Sequence, residues 1–146
     1  MEMSIEVPPG GLVIGIGTDI IEVDRIKRAH ERHGDRFLGR IYTDEEREYC
    51  FSMNNPYPHL AARFAAKEAV SKAFTTGIGR FLKWTSISIH KGQREQPLVR
   101  MDATGRDLMG KINASLVLIT LSHTRNYANA VALLLRDSTR REPETR

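Results

Sequence analysis

The sequence lacks several features that would assign it to a class at once. Its 146 residues include a single cysteine, Cys50, so no disulfide can form within the chain. No apolar run approaches the roughly 18 residues that a membrane span needs. The segment Met1 to Glu6 has neither the basic nor the apolar region of a signal peptide. These absences predict a cytoplasmic protein that does not enter the membrane.

Common catalytic and binding motifs are also missing. Gly15 and Gly17 form a G-x-G pair, but Ile20 stands where a dinucleotide fingerprint needs its third glycine. There is no Walker phosphate-binding loop, no Cys/His cluster spaced for zinc and no G-x-S-x-G nucleophile elbow. Aromatic residues make up only 7% of the chain, which leaves few platforms for stacking nucleic-acid bases.

What remains is the composition of one globular domain. A chain with 40% hydrophobic and 27% charged residues at this length has room for a single core. A leader, 1–11, ends in two prolines and two glycines, and a tail, 137–146, carries alternating charges without an apolar anchor. We expect both to be flexible around a folded body of 12–136. The net charge of +4 suits an acidic partner, a phosphorylated ligand or nucleic acid.

Hydrophobic periodicity places helices mainly in the first half of the chain and strands in the second. Leu12 to Ile21 is apolar on both parities, as in a strand covered on both faces, and Gly15 and Gly17 allow another backbone to approach it. Helices are predicted over 24–33, 37–41, from a Thr43/Glu46 capping box onward, over 59–74 and from a Thr104 cap to Ile112. Strands are predicted over 85–90, 98–101, 116–122 (a central strand) and 127–135, the last two joined by a turn at 123–126. This order predicts an α+β domain with helices packed on an antiparallel sheet.

Asp19 is the first acidic residue in apolar surroundings. It lies within the predicted strand between Ile16 and Ile20. A carboxylate there needs an ion pair, hydrogen bonds or a metal, because an isolated buried charge is very costly. The structural alternative is that Asp19 ends the strand and caps the helix that follows.

Glu68 is the second such residue. It lies in one i, i+4 row of the predicted helix with Phe64 and Lys72, flanked by alanines. Lys72 could be its ion-pair partner, which would make the pair structural. Two carboxylates on different elements also suit Mg²⁺, which proteins hold through one or two carboxylates together with substrate phosphates. Lys72 and the backbone N–H groups of Thr76 to Gly79 could then contact phosphate oxygens.

Three segments of the sequence resemble one known family. Ile14 to Val23, with the sequence IGIGTDIIEV, is similar to the opening signature of the holo-[acyl-carrier-protein] synthases, the AcpS-type 4′-phosphopantetheinyl transferases. Arg63 to Phe74 followed by Thr76 to Gly79 resembles the second signature, and Ser122 to Thr124 with Tyr127 and the alanines after it resembles the closing hairpin. The three segments stand in the family's order and cover essentially the whole folded body. Glu95-Gln96-Pro97 departs from the Gly-Lys-Pro turn often seen in the family.

The resemblance implies a fold, a reaction and a site. The fold would be a single domain of the 4′-phosphopantetheinyl transferase type. The enzyme would transfer 4′-phosphopantetheine from coenzyme A to a serine of apo acyl carrier protein in fatty acid biosynthesis, releasing adenosine 3′,5′-bisphosphate. It would act as a homotrimer with coenzyme A bound between neighbouring subunits. Asp19 and Glu68 would bind Mg²⁺ and take part in catalysis with Lys72, while the residues around coenzyme A would be Lys72, Gly77, Ile78, Gly79, His123 and Thr124.

A basic surface is predicted next to this site. Arg25, Arg28 and Arg32 share the outer face of the helix 24–33, and Arg36 follows it. Acyl carrier proteins are acidic, so these arginines are expected to bind the carrier, although a solvated helix face is the commoner origin of such a pattern. A small basic nucleic-acid-binding protein, or a Mg²⁺-dependent hydrolase of coenzyme A or a nucleotide, are the alternatives. The first would leave Asp19 and Glu68 without a role.

Overall fold

The structure is a computed structural model that describes residues 12–137. Its elements are β1 (Leu12–Glu22), α1 (Val23–His33), α2 (Asp35–Ile41), α3 (Asp44–Phe51), α4 (Tyr57–Ala73), a 3₁₀ turn (Trp84–Ser86), β2 (Ile87–Lys91), β3 (Pro97–Met101), α5 (Ala103–Lys111), β4 (Leu116–His123) and β5 (Tyr127–Arg136). Among these elements, no helix has the length and apolarity needed to cross a membrane. The predicted leader, and the predicted tail beyond Asp137, lie outside the described residues.

An antiparallel sheet with the strand order β1-β5-β4 forms the centre of the fold, and β2 and β3 form a separate two-stranded ribbon. Asp19 of β1 lies opposite Ala130 of β5, and His123 of β4 lies opposite Ala128. The predicted α+β class is therefore confirmed. The placement of 116–122 as a central strand is wrong, because β5 folds back between the other two strands and leaves β4 at the edge.

Helix α4 packs directly on one face of this sheet. Its alanines and those of β5 are fully buried against each other, including Ala69 and Ala130. Gly15 and Gly17 permit this contact, since a Cβ built on Gly17 would lie 1.9 Å from the carbonyl oxygen of Ala69. The close backbone approach predicted from the two glycines is confirmed, and it brings β1 unusually near to the helix.

The other face of β1 is open in the single chain. Ile16 and Ile20 are 68% and 65% exposed, whereas Ile21, on the α4 side, is 5% exposed. The prediction of a strand covered on both faces is therefore wrong for this chain alone. No helix among residues 12–137 packs on that face. Ile16 and Ile20 of β1 are therefore not buried by any part of the described protomer.

The boundaries of the smaller elements differ slightly from those expected. The Thr43/Glu46 capping box of α3 is confirmed. Helix α5 is capped by Asp102, whose side chain accepts the Gly105 N–H at 2.8 Å, and not by Thr104, which lies inside the first turn. Asp102 also donates its own N–H to Ser86, which anchors the helix start to the 3₁₀ turn.

A fully buried ion pair holds α4 to the elements around it. Lys67 Nζ donates to Glu46 Oε1 at 2.6 Å, and neither side chain is exposed. The same ammonium donates to the carbonyl oxygens of Ile41 at 2.8 Å and Trp84 at 3.0 Å. Glu46 in turn accepts the N–H of Ile89 at 3.0 Å. The pair therefore joins α2, α3, α4, the 3₁₀ turn and β2 at one point.

The contact between β1 and α4 leads to a stability prediction. Gly17→Ala places a methyl group against the Ala69 carbonyl, so we expect it to lower the free energy of unfolding by about 1–3 kcal/mol or more. Denaturant unfolding followed by circular dichroism measures the change. Gly110→Ala in α5 is the matched control, because a Cβ built there would meet no atom of the described part of the chain within 4 Å. An equal effect in both variants would contradict the close contact.

Candidate active site

Asp19 lies in the middle of β1 on the side that faces α4. Its side chain is 18% exposed, and Lys72 Nζ donates to Asp19 Oδ1 at 3.1 Å and to the Thr18 carbonyl at 3.0 Å. The alternative role of Asp19 as a helix cap is wrong, because α1 begins at Val23 and its N-cap residue is Glu22. The carboxylate therefore has the charged partner that a site within an apolar strand requires.

Glu68 projects from α4 into the same space. It is partly buried, and its pKa is raised above the ordinary value, first by burial and then by the negative charge of Asp19. Lys72 and Arg25 act in the opposite direction on that pKa. Lys72, one turn further along α4 than Glu68, pairs with Asp19 across the β1–α4 contact. Two carboxylates and one ammonium, predicted from separate segments, therefore meet at one place.

The donors at this place suit one class of metal. No group of three or more His, Cys, Asp or Glu side chains able to hold a metal occurs within the described chain. Sites for zinc need such a group, whereas Mg²⁺ uses one or two carboxylates and completes its octahedron with water and substrate phosphate. Burial raises the pKa of Glu68 and the charge of Asp19 raises it further, and a divalent cation would relieve the repulsion between the two carboxylates. The residues present fit Mg²⁺.

The glycine-containing loop after α4 uses part of its backbone internally. Gly77 and Gly79 have positive φ angles of 66° and 151°. The Gly77 N–H donates to the Ser71 carbonyl at 3.2 Å, and the Gly79 N–H donates to Leu82 at 2.8 Å. The expectation that these two N–H groups are available to phosphate is therefore wrong for this conformation. The loop, with Ile78 between the glycines, is still held close to the end of the helix that carries Lys72.

His123 is the last residue of β4, the edge strand on the side of β5 opposite β1, and Thr124 follows it. Thr124 supports the β4–β5 turn, since its Oγ1 accepts the N–H groups of Asn126 at 3.4 Å and Tyr127 at 3.1 Å. The ring of His123 meets that of His59 edge-on, with centroids 5.6 Å apart. Because His123 pairs with Ala128, and Ala128 with Ile21, it lies two strands away from the carboxylates of Asp19 and Glu68.

Next to His123 is a cavity of about 220 Å³ whose lining includes His59, Arg63 and Lys91. Arg63 is only 4% exposed, and its Nε has no hydrogen-bond partner among residues 12–137. Its guanidinium lies 4.4 Å from the ring centre of Tyr49, and its Nη1 reaches the His59 carbonyl at 3.4 Å. The sequence argument missed Arg63, although the signal was the same as for Glu68: a charged residue on a small, apolar helix face.

The predicted basic surface is exposed as expected. Arg25, Arg28 and Arg32 are exposed along α1, and Arg36 is exposed on α2. Arg28 Nε forms an ion pair with Asp24 at 2.8 Å, so part of the positive charge is neutralised. Arg25 and Arg28 also line a groove of about 480 Å³ that extends past Ile20 and Tyr127. Because Arg25 affects the pKa of Glu68, this surface begins beside the carboxylates.

Comparisons with known proteins agree with this arrangement. The family model described as the 4′-phosphopantetheinyl transferase superfamily matches residues 15–132. The chain belongs to this superfamily. The matched range contains both carboxylates, Lys72, the glycine loop and His123, so the assignment made from three sequence segments is confirmed.

Individual members of the superfamily match over nearly their whole length. A holo-[acyl-carrier-protein] synthase from Chlamydia trachomatis serovar L2 is 50% identical over 121 residues, which cover 83% of this chain and 98% of that protein. The crystal structure of the synthase from Neisseria meningitidis aligns with a TM-score of 0.80 at 32% identity, covering 84% of this chain and 98% of that one. The Helicobacter pylori synthase in complex with coenzyme A aligns with a TM-score of 0.73 at 31% identity, covering 82% and 98%.

The repulsion between the two carboxylates predicts a pH-dependent gain in stability. Without metal or substrate, Glu68→Gln should stabilise the fold at neutral pH by on the order of 0.5 kcal/mol, because it removes a charge that burial and Asp19 disfavour. Since the pKa of Glu68 is raised in the folded state, the gain shrinks as the pH falls through that pKa. It disappears below the ordinary value of 4.5.

Thermal unfolding in the presence of EDTA, at neutral pH and near pH 4, measures the difference between variant and parent. Glu48→Gln, at an exposed position of α3, is the control for the loss of one negative charge. A Glu68→Gln protein that is less stable than the parent at neutral pH would contradict the repulsion.

Proposed function

We propose that the chain is a holo-[acyl-carrier-protein] synthase. It transfers the 4′-phosphopantetheine arm of coenzyme A to a serine of apo acyl carrier protein and releases adenosine 3′,5′-bisphosphate. Membership of the superfamily and 50% identity to a relative of that name support the reaction. The observation that carries the proposal is the convergence of Asp19, Glu68 and Lys72 where β1 meets α4.

Each of the three residues has a distinct task in this proposal. Asp19 and Glu68 hold Mg²⁺, which when bound neutralises charge on the phosphoryl and leaving oxygens. Lys72, whose side chain is 49% exposed, binds the pyrophosphate of coenzyme A and stabilises the negative charge that grows there as the serine oxygen attacks the β-phosphorus. The proton of the attacking serine needs an acceptor. The two carboxylates can accept it, directly or through a water molecule.

The cavity beside His123 is proposed to bind a phosphate of coenzyme A. A buried guanidinium without a carboxylate partner is costly, and an anion would supply the missing partner for Arg63 Nε. His59 and His123 line the same cavity, and Lys91 lies at it as a further cation. The glycine loop, with Gly77, Ile78 and Gly79, would flank the part of coenzyme A nearer to Lys72, and Thr124 would hold the hairpin that presents His123.

Replacing either carboxylate tests the catalytic pair. Asp19→Ala and Glu68→Ala should each lower the rate of transfer at least about 100-fold while the protein remains folded. Because the two residues act as one unit, the double variant should be no slower than the slower single variant. The measurement is the mass gain of one phosphopantetheine arm on apo carrier protein in the presence of coenzyme A and Mg²⁺. Near-parental activity in either single variant would overturn the assignment.

Two controls separate this reaction from the alternatives. Release of adenosine 3′,5′-bisphosphate without carrier protein would indicate a hydrolase. Omitting Mg²⁺ and adding EDTA should stop transfer, and restoring Mg²⁺ should recover it. The nucleic-acid-binding alternative receives no support from the relatives and structures compared above.

The basic surface of α1 and α2 is proposed to bind the acidic carrier protein. Arg32 is the most informative position, because it is exposed on α1 and further along the helix from the carboxylates than Arg25. Arg32→Glu should raise the KM for carrier protein and weaken its salt dependence, while the affinity for coenzyme A stays unchanged. Lys111→Glu makes the same charge reversal on α5, which packs on β3 and the 3₁₀ turn, and serves as the control. Equal KM values for the two variants would contradict this surface.

A homotrimer with coenzyme A between neighbouring subunits is also proposed. The exposed apolar face of β1, with Ile16 and Ile20, would be covered by the sheet of a neighbouring subunit in a closed ring. Light scattering should then give about three times the chain mass of 16.5 kDa. Ile16→Glu should give monomers with little activity, whereas Phe51→Glu, at an exposed apolar position of α3, should not change the mass. A fully active parental monomer would overturn the trimer.

A further inference from the structure

A second constellation of reactive side chains lies on the β2–β3 ribbon, away from the carboxylate pair. Ser88 Oγ lies 2.7 Å from His90 Nε2, and His90 Nδ1 lies 3.1 Å from Glu45 Oε2. Ser88 and His90 are two residues apart on β2 and therefore point to the same face, and Glu45 comes from the first turn of α3. The three groups form a hydroxyl–imidazole–carboxylate chain, the arrangement that activates serine nucleophiles on unrelated folds.

The ion pair with Glu45 favours one tautomer of His90. With Nδ1 protonated beside the Glu45 carboxylate, the neutral imidazole presents Nε2 as an acceptor for the Ser88 hydroxyl proton. Burial and the Arg100 charge lower the pKa of His90, against the raising effect of Glu45 and Glu46, and this favours the neutral ring that can act as a base. The imidazole itself is held in place, since its side chain is only 15% exposed between its two partners.

The site is open to a small molecule. Ser88, His90 and Glu45 all line a groove of about 340 Å³ between α3 and the ribbon. Arg100 of β3 lies directly opposite Ser88 in the strand register and also lines the groove, where it can meet negative charge that develops on a substrate oxygen. The groove also includes Asp44 and Glu45 of the first turn of α3.

A purely structural role accounts for only part of this arrangement. Thr43 Oγ1 lies 3.0 Å from Ser88 Oγ and belongs to the capping box of α3, so one hydroxyl contact already joins β2 to that helix. Glu45 Oε2 also lies 3.6 Å from Arg100 Nη1 on β3, but its closer contact, at 3.1 Å, is with His90 Nδ1. This closer contact orients the imidazole toward Ser88.

We propose that Ser88, His90 and Glu45 form a second nucleophilic centre that accepts an acyl group from small activated esters. Ser88 Oγ attacks the carbonyl carbon as its proton passes to His90 Nε2, the ester C–O bond breaks, and the leaving alkoxide or phenoxide takes that proton or departs as the anion. Where the leaving group departs as the anion, His90 first releases its proton to solvent. Water then attacks the acyl carbon as its proton passes to His90 Nε2, the bond from that carbon to Ser88 Oγ breaks, and Oγ takes the proton back as the acid is released. This activity is independent of phosphopantetheine transfer.

The test uses diisopropyl fluorophosphate, which forms a stable adduct with activated serines and displaces fluoride, together with p-nitrophenyl acetate turnover. Peptide mass mapping should locate a single adduct on Ser88. Ser88→Ala should abolish it, His90→Gln should slow labelling and turnover about 100-fold, and Glu45→Gln should slow them by a smaller factor. Ser52→Ala removes an exposed hydroxyl that has no histidine partner, and it should label at the parental rate.

Each result decides the proposal. An adduct on Ser88 that depends on His90 supports it. No adduct, an adduct elsewhere, or parental labelling of the His90→Gln variant would overturn it. Phosphopantetheine transfer by Ser88→Ala at the parental rate shows that this variant is folded, and circular dichroism shows the same for His90→Gln. Failure of the labelling test leaves the transferase proposal untouched, because Asp19 and Glu68 take no part in it.

Discussion

The buried ion pair between Lys67 and Glu46 fixes α4 against α2, α3, the 3₁₀ turn and β2. Removing one partner of such a pair typically costs about 3–5 kcal/mol, because the other charge is left without compensation. Lys67 reaches three acceptors on three different segments, so it fixes the helix in rotation as well as in place. Glu68 follows it by one residue, about 100° around the helix. With Lys67 held in the core, Glu68 is directed toward β1, where Asp19 lies.

The approach of β1 to α4 then determines how strongly the charged groups interact. Gly15 and Gly17 have no side chains to keep the helix away, and the fully buried Ala69 and Ala73 offer small surfaces in return. A larger residue at these positions would separate the strand from the helix. The electrostatic influence of Asp19 on Glu68, and the contact of Lys72 with Asp19, depend on this short separation.

Local misfits in the sequence were enough to find Asp19 and Glu68, because a carboxylate in an apolar strand or on an alanine-rich helix face needs a partner. Arg63 is a charged residue on the same alanine-rich helix, and the same reasoning about a missing partner applies to it. Features that depend on long-range pairing were harder: β5 at the centre of the sheet follows from a register that no local pattern specifies. His90 meets Glu45 across 45 residues, so no spacing rule could have joined them.

Because side chains alternate between the two faces of β1, this strand has two unrelated roles. From Gly15 onward, its odd positions, including Gly17 and Asp19, face the helix and the site, and its even positions include Ile16 and Ile20 of the exposed apolar face. A substitution changes one role, but a single inserted or deleted residue would exchange the two faces. In the evolution of this segment, changes in length should therefore be far rarer than changes in residue type.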